Sequence, residues 1–313
     1  MASDAGATPP VLTTVAIPGA YWRPHGPPIR SLALRPAGQE DALFLVDTAQ
    51  ALNATERASA LLARCLVPPT PVAGSVTPWT PEALSVGDRE ACLLHLRRLT
   101  LGDRLEAVVR CPAAECSELL EVSVLVDELI VSPVGEPRRE HRVRLSHGNG
   151  EMVVRFRLPT GGDLAAVAAI SGTDPDSGAG ELLERCVLGI TRHGRHVTMD
   201  ALGEEDRAEV AAAMADADPQ ALIEMELVCP ACDQAVEVAF DAGAYLVAEL
   251  EVRAAQLLDE VHALALHYHW SEAAILAMPP ARRARYLKLV GLGDSTVAAP
   301  MPNAAPDPAS LLP

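Results

Sequence analysis

The chain has 313 residues, enough for about two ordinary domains. Hydrophobic residues make up 49% of it but aromatics only 3%, so any core must be built from Leu, Val and Ala. A net charge of −17 and a pI near 4.9 oppose nucleic-acid binding, which needs clustered cations, and no run approaches the ~20 apolar residues of a membrane span.

In chain order, residues 1–27 lack periodicity and have neither the basic start nor the apolar stretch of a secretory signal. They are expected to be disordered, in a protein that stays in the cytoplasm. From 28 to 131 the pattern predicts a packed unit. Ala58, Leu61, Leu62, Cys65 and Leu66 fall on one helical face, and Asn53 with Glu56 three residues on fits a helix start. A second helix is expected near Asp88–Leu96, followed by an alternating strand through Leu105, Ala107 and Val109. Next come a knuckle, Cys111-Pro-Ala-Ala-Glu-Cys116, and a strand over Leu120–Val124. The linker, 132–150, holds Pro133, Gly135 and Pro137. Within it His147-Gly148-Asn149-Gly150 reads as a hairpin turn between Arg142–Leu145 and Met152–Leu158, because Asn and Gly accept positive φ.

From 151 to 247 the same blocks return. Ala179, Leu182, Leu183, Cys186 and Val187 repeat the first helical stripe; a helix is expected over Glu204–Met214, and an alternating strand through Ile223, Met225 and Leu227. Then come Cys229-Pro-Ala-Cys232 and a strand over Val236–Phe240. Asp88-Arg89 stands 23 residues before Cys111, and Asp206-Arg207 stands 23 before Cys229. Arg35-Pro36-Ala37-Gly38 faces Leu158-Pro159-Thr160-Gly161. Blocks recurring in the same order read as an internal repeat. The expected fold is α+β: two tandem copies of a helix–helix–strand–knuckle–strand domain, then a helical tail over 248–290 and a disordered end, 291–313. In the tail, Leu250, Leu257, Val261 and Leu264 line a long helix up to His267. Ser271 caps a short helix ended by Pro279-Pro280, and Arg282–Val290 is basic, then apolar. Such a tail reads either as an attachment device or as a helix folded back on the second domain.

The knuckles carry the clearest chemistry. Two thiolates on a tight turn supply half a zinc tetrahedron, so the natural site takes Cys111, Cys116, Cys229 and Cys232 together and clamps the two copies with one structural zinc. Metal-free relics, local disulfides and a redox dithiol are the competing readings. A redox pair normally sits at a helix N-terminus, whereas strands are expected to flank this one. Cys65, Cys92 and Cys186 read as small core residues. His193-Gly-Arg-His196 reads as a solvated loop, and His262, His267 and His269 as packing around a helix end. Gly161-Gly162 reads as a turn and Asp174-Pro-Asp176 as a loop. No nucleophile elbow, phosphate loop or HExxH is present, so no enzyme is expected.

The stretch LLDEVHALALHYHWSEAAILAMPPARRARYLKLV, Leu257 to Val290, resembles helical segments of proteins from contractile-tail gene clusters, those of phage tails and of phage-derived extracellular contractile injection systems. The shared pattern is Tyr268-His269-Trp270, an acidic-apolar helix with Glu272, Ile275 and Leu276, and arginines before Tyr286. RLPTGGDLAAVA, Arg157 to Ala168, with LLERCVLGI and the Cys-Pro-x-Cys knuckle, is similar to baseplate-associated proteins. The resemblance covers residues 157–290 and, through the repeat, 28–131; the first knuckle departs by two extra residues. It implies a non-catalytic structural component of a baseplate, incorporated in a tail-like particle. The implied partners are other baseplate and tail proteins, with no nucleic acid and no small-molecule substrate, and Trp270, Tyr286, Arg282 and Arg283 are the implied partner-binding residues. An assembly chaperone absent from the finished particle is the alternative in the same biology. A zinc-ribbon adaptor, opposed by the charge, and a dithiol oxidoreductase, opposed by the strand context, come from other classes.

Overall fold

The computed structural model describes residues 11–22, 27–69, 79–132, 135–146, 151–171 and 174–292. The first stretch runs β1 (Thr13–Tyr21), β2 (Ile29–Leu34), α1 (Gln39–Asp47), α2 (Ala54–Cys65), β3 (Leu66–Val67), α3 (Val86–Leu101), β4 (Arg104–Arg110), β5 (Leu119–Leu125) and the one-turn α4 (Val126–Leu129). The second runs β6 (His141–Leu145), β7 (Met152–Phe156), α5 (Gly161–Ser171), α6 (Pro175–Cys186), β8 (Val187–Arg192), β9 (Arg195–Val197), α7 (Glu204–Ala217), β10 (Ile223–Val228) and β11 (Ala235–Phe240). The chain ends in α8 (Ala242–Tyr268), α9 (Glu272–Leu276) and α10 (Pro280–Leu289). The mixed helix and sheet content fits the expected α+β class.

Two antiparallel sheets, ordered β1-β2-β3 and β6-β7-β8-β9, each back onto helices, and β4–β5 and β10–β11 stand as separate hairpins. Each of the two helical stripes read from the sequence faces a core. Asn53 caps α2 by accepting the Glu56 amide while Glu56 reaches back to the Asn53 amide, and Ala58, Leu61, Leu62 and Cys65 are buried beneath it. In the second stretch Leu183 and Cys186 of α6 pack with Met152, Val154 and Phe156, the inward positions of β7.

Several expectations need correcting. A strand, β1, occupies part of the segment 1–27; residues 1–10, 23–26 and 293–313 and the turn His147–Gly150 lie outside the described residues. Gly161-Gly162, read as a turn, is the opening of helix α5, because the Asp163 carboxylate accepts the Thr160 amide and hydroxyl and closes the helix start. Asp174 likewise starts α6, accepting the Ser177 amide, with Pro175 in its first turn. His193 and Gly194, at φ 49° and 73°, make a tight β8–β9 turn. His262, His267 and His269 are exposed rather than packed.

The largest correction concerns the tail. Helix α8 starts at Ala242, six residues before 248, with Asp241 capping it through the Ala244 amide. Its first half buries Tyr245, Leu246, Leu250 and Ala254 against α1, α2 and α3, so it completes the core of the first stretch, not the second. Gly243 permits the approach: a Cβ there would stand 2.8 Å from that of Ala58. The rest of α8 packs on α9 and α10 through Val261, Leu264 and Ile275.

Candidate functional site

The four knuckle cysteines meet. Cys111 and Cys116 sit on the turn between β4 and β5, Cys229 and Cys232 on the turn between β10 and β11, and all four Sγ atoms lie within 4.8 Å of one another. Cys111 Sγ is 3.7 Å from Cys232 Sγ and Cys116 Sγ is 3.6 Å from Cys229 Sγ, so the two turns interleave their sulfurs. A tetrahedral zinc with Zn–S bonds of about 2.3 Å holds its sulfurs roughly 3.8 Å apart, close to the spacing of these two pairs. Among the described residues no other group of three or more His, Cys, Asp or Glu has metal-holding geometry.

The backbone is arranged for thiolates. Each Sγ accepts the amide two residues on: Ala113 for Cys111, Glu118 for Cys116, Ala231 for Cys229 and Gln234 for Cys232. The residue after the second cysteine takes the left-handed conformation in both turns, Ser117 at φ 57° and Asp233 at φ 56°, which swings the following amide back onto sulfur. Burial pushes the Cys229 thiol up, but the Ala231 and Cys232 amides and the neighbouring thiols bring it down to about 7. Beneath the sulfurs, Leu120, Val236 and Val238 close the space between the hairpins with Cys111 and Cys229. Four sulfurs at this spacing could hold one metal ion, and a zinc bound by all four would have no position left for water or substrate. Strands flank both turns, as the sequence implied, and no helix N-terminus lowers a thiol for redox work. Cys65, Cys92 and Cys186 are buried core residues.

A second pair of matched features was not read from the sequence. Arg35 grips Asp41 through two nitrogens, at 2.6 and 3.0 Å, and Arg64 adds a third contact at 2.7 Å. In the second stretch Arg157 grips Asp163 at 2.6 and 2.9 Å, with Arg185 at 3.3 Å. Arg35 also donates to the Arg64 carbonyl and its amide to that of Cys65; Arg157 does the same to Arg185 and Cys186. By this bonding the counterpart of Arg35 is Arg157, not Leu158, so the sequence alignment of that block was off by one residue. The signal was available as Arg-x5-Asp, present in both stretches. Burial works against ionisation of Asp163, but Arg157 and Thr160 outweigh it and hold the carboxyl down at about 2.

Of the expected partner-binding residues, Trp270 and Tyr286 are half-buried against each other and Tyr268, with ring centroids 4.5 to 5.5 Å apart. Arg283 is only 5% exposed and is committed within the chain, to Glu260, Gln39 and the Met278 carbonyl. Arg282 stands exposed. Among the described residues no helix is long and apolar enough to cross a membrane.

No curated protein and no solved structure matches the chain. The family described as T4 bacteriophage base plate protein matches residues 38–243, about two-thirds of the sequence. The match runs from the start of α1 to the first turn of α8, and so encloses Asp41 of the first grip, the whole of the Arg157–Asp163 grip and all four knuckle cysteines. A chain matched over that span belongs to the T4 bacteriophage base plate protein family.

Proposed function

We propose that this chain is a non-catalytic structural component of the baseplate of a contractile tail-like particle, a phage tail or a phage-derived injection system. It binds other baseplate and tail proteins, stays in the cytoplasm until assembly, and then becomes part of the particle. The observation that carries this reading is the family match across both halves. The clustering of the four knuckle cysteines agrees with a structural role. The decisive experiment deletes the gene and examines particles by electron microscopy, with mass spectrometry of purified wild-type particles. Loss of intact particles with the chain present in them supports the component. Loss of particles with the chain missing from them assigns it instead to assembly as a chaperone. Normal particles without the gene overturn both.

In the same reading the chain is a tandem duplication, 28–131 and 151–247, whose copies are clamped by one zinc on Cys111, Cys116, Cys229 and Cys232. Supporting the duplication are the matched element order, the paired Arg–Asp grips and the left-handed residue after each second cysteine. Supporting the zinc are the sulfur spacing and the amides aimed at each sulfur. Trp270, Tyr286, Arg282 and Arg283 form the attachment device, Arg283 by holding α10 in place and Arg282 by facing outward. Metal analysis of the purified chain tests the clamp: one zinc per chain supports it, and none or two overturns it.

A further inference from the structure

Helix α10 has a charge opposite to the rest of the chain. The sequence holds 42 acids against 25 Lys and Arg, yet α10 carries Arg282, Arg283, Arg285 and Lys288 and no acid. Arg283 is used internally, tying α10 to Glu260 of α8 and Gln39 of α1. Arg282, Arg285 and Lys288 are exposed, and none of them forms an ion pair among the described residues. Leu289 follows Arg282 and Arg285 at helical spacing and is 61% exposed, and Leu292 just beyond is 46% exposed. A helix serving only its own fold turns leucines inward; here two stand outward beside three cations.

The chemistry that complements this face is present elsewhere on the same chain. On the outer side of the β10–β11 hairpin Glu224, Glu226 and Glu237 are exposed, and none has an ion-pair partner among the described residues. Glu226 sits directly opposite Glu237 in the register, a like-charge pairing that destabilises a hairpin unless something cationic covers it. Val228, 63% exposed, and Leu222, 46% exposed, lie in and beside the same strand. One surface offers three cations and two leucines, the other three carboxylates and two apolar side chains. The inner side of α10 is fixed to α8 and α1, so its open side is left for another molecule.

We propose that α10 of one copy docks on the outer face of the β10–β11 hairpin of a second copy. The inference rests on the tail being the attachment device and names what it attaches to. The two patches differ, so the contact is head to tail, and repetition closes a ring or extends a row. Because charge steers it, association falls as salt rises.

Sedimentation velocity of the full chain tests this, at about 20 mM and about 500 mM salt, which span the screening range. The expected result is association at low salt that is lost at high salt. It is also lost at low salt in R282E/R285E, whose thermal melt stays unchanged because both side chains are exposed. Adding E226R/E237R to that variant restores association by exchanging the charges. A wild-type chain that stays monomeric at both salts overturns the proposal, as does association indifferent to R282E/R285E or a failed exchange. Incorporation of R282E/R285E into particles separates this from the broader reading. If incorporation needs the arginines while the chain is monomeric, the second copy is the wrong partner and the tail still attaches. If a chain ending at Tyr268 assembles normally, the attachment reading itself fails.

Discussion

Asp218, at the end of α7, accepts the amide of Gly87 in the first turn of α3 at 2.9 Å, joining the two halves of the chain through a buried hydrogen bond. A side chain at 87 has no room: a Cβ there would lie 1.9 Å from Asp218 Oδ1. Gly87→Ala should therefore expel Asp218 and leave its carboxylate and the amide without partners, costing about 2–3 kcal/mol. Urea denaturation checks this. A loss below about 0.5 kcal/mol, the size of an ordinary surface change, would show that the junction is looser than described.

Each knuckle should contribute equally to metal retention. Cys111→Ser and Cys229→Ser are expected to release zinc to the same extent, since each leaves three sulfurs. The larger cores share few residues with the sulfur cluster, so both halves should stay folded. Hydrogen exchange should then rise in β4–β5 and β10–β11 and stay level in α2 and α6. Uniform acceleration throughout the chain would mean that the metal supports the whole fold.

Asp88 gives stability a pH dependence. Burial first, then the charge of Asp218, raises its carboxyl from 3.8 to about 7, against the amides of Gly19 and Ala20 that favour its ionised form. Its folded pKa exceeds its unfolded one, so the folded state keeps the proton longer. The contribution is complete below about pH 4 and is lost as pH climbs through about 7. Glu90, raised to about 7 by burial and by Asp241, acts in the same window. Asp88→Asn retains an acceptor for the Gly19 amide without the charge. Its melting temperature should match wild type near pH 4 and exceed it increasingly up to about pH 7. A constant offset across that range would assign the effect to packing.

The twin Arg–Asp grips should be worth similar amounts. Asp41 and Asp163 are 1% and 4% exposed, but their arginines are partly solvated, which tempers the loss. Asp41→Ala and Asp163→Ala should each cost about 2 kcal/mol. The double variant should be additive, because the grips share no residue. Chemical denaturation of the three variants decides it; a large difference between the singles would count against the duplication.

Where the tail is cut matters. Ending the chain at Tyr268 removes α9 and α10 and should leave the first core intact. Ending it at Val247 removes Leu250 and Ala254, which are 1% and 0% exposed, and should unfold the first half. Near-ultraviolet circular dichroism and melting curves distinguish the two. A folded product from the shorter chain would contradict the placement of α8.

Much of this was legible in the sequence because periodicity reports burial. The stripes of α2 and α6, the alternation of β4 and β10 and the cysteine spacing all survive in the structure. The short strands β3 and β9 left no trace, since two or three residues cannot show a period. Helix α5 escaped because Gly161-Gly162 suggested a turn, while the cap came from Asp163 further on. The grips escaped because Arg35 and Asp41 look like ordinary surface charges until Arg64 arrives from the next helix. Nothing local could tell that α8 would pack on the first half. That pairing is set by the shape of a distant core.

The position of α8 also dictates the order in which the protein can mature. A ribosome making this chain finishes β5 more than a hundred residues before it reaches Tyr245, Leu246 and Leu250. Until then the first half has an open slot lined by Ala58 and Leu93, and the second half, whose core needs no later residues, can close first. The nascent chain thus waits on its own far end. A messenger truncated between about codons 217 and 245 yields one finished half tethered to one unfinished half, a product for proteases rather than for particles.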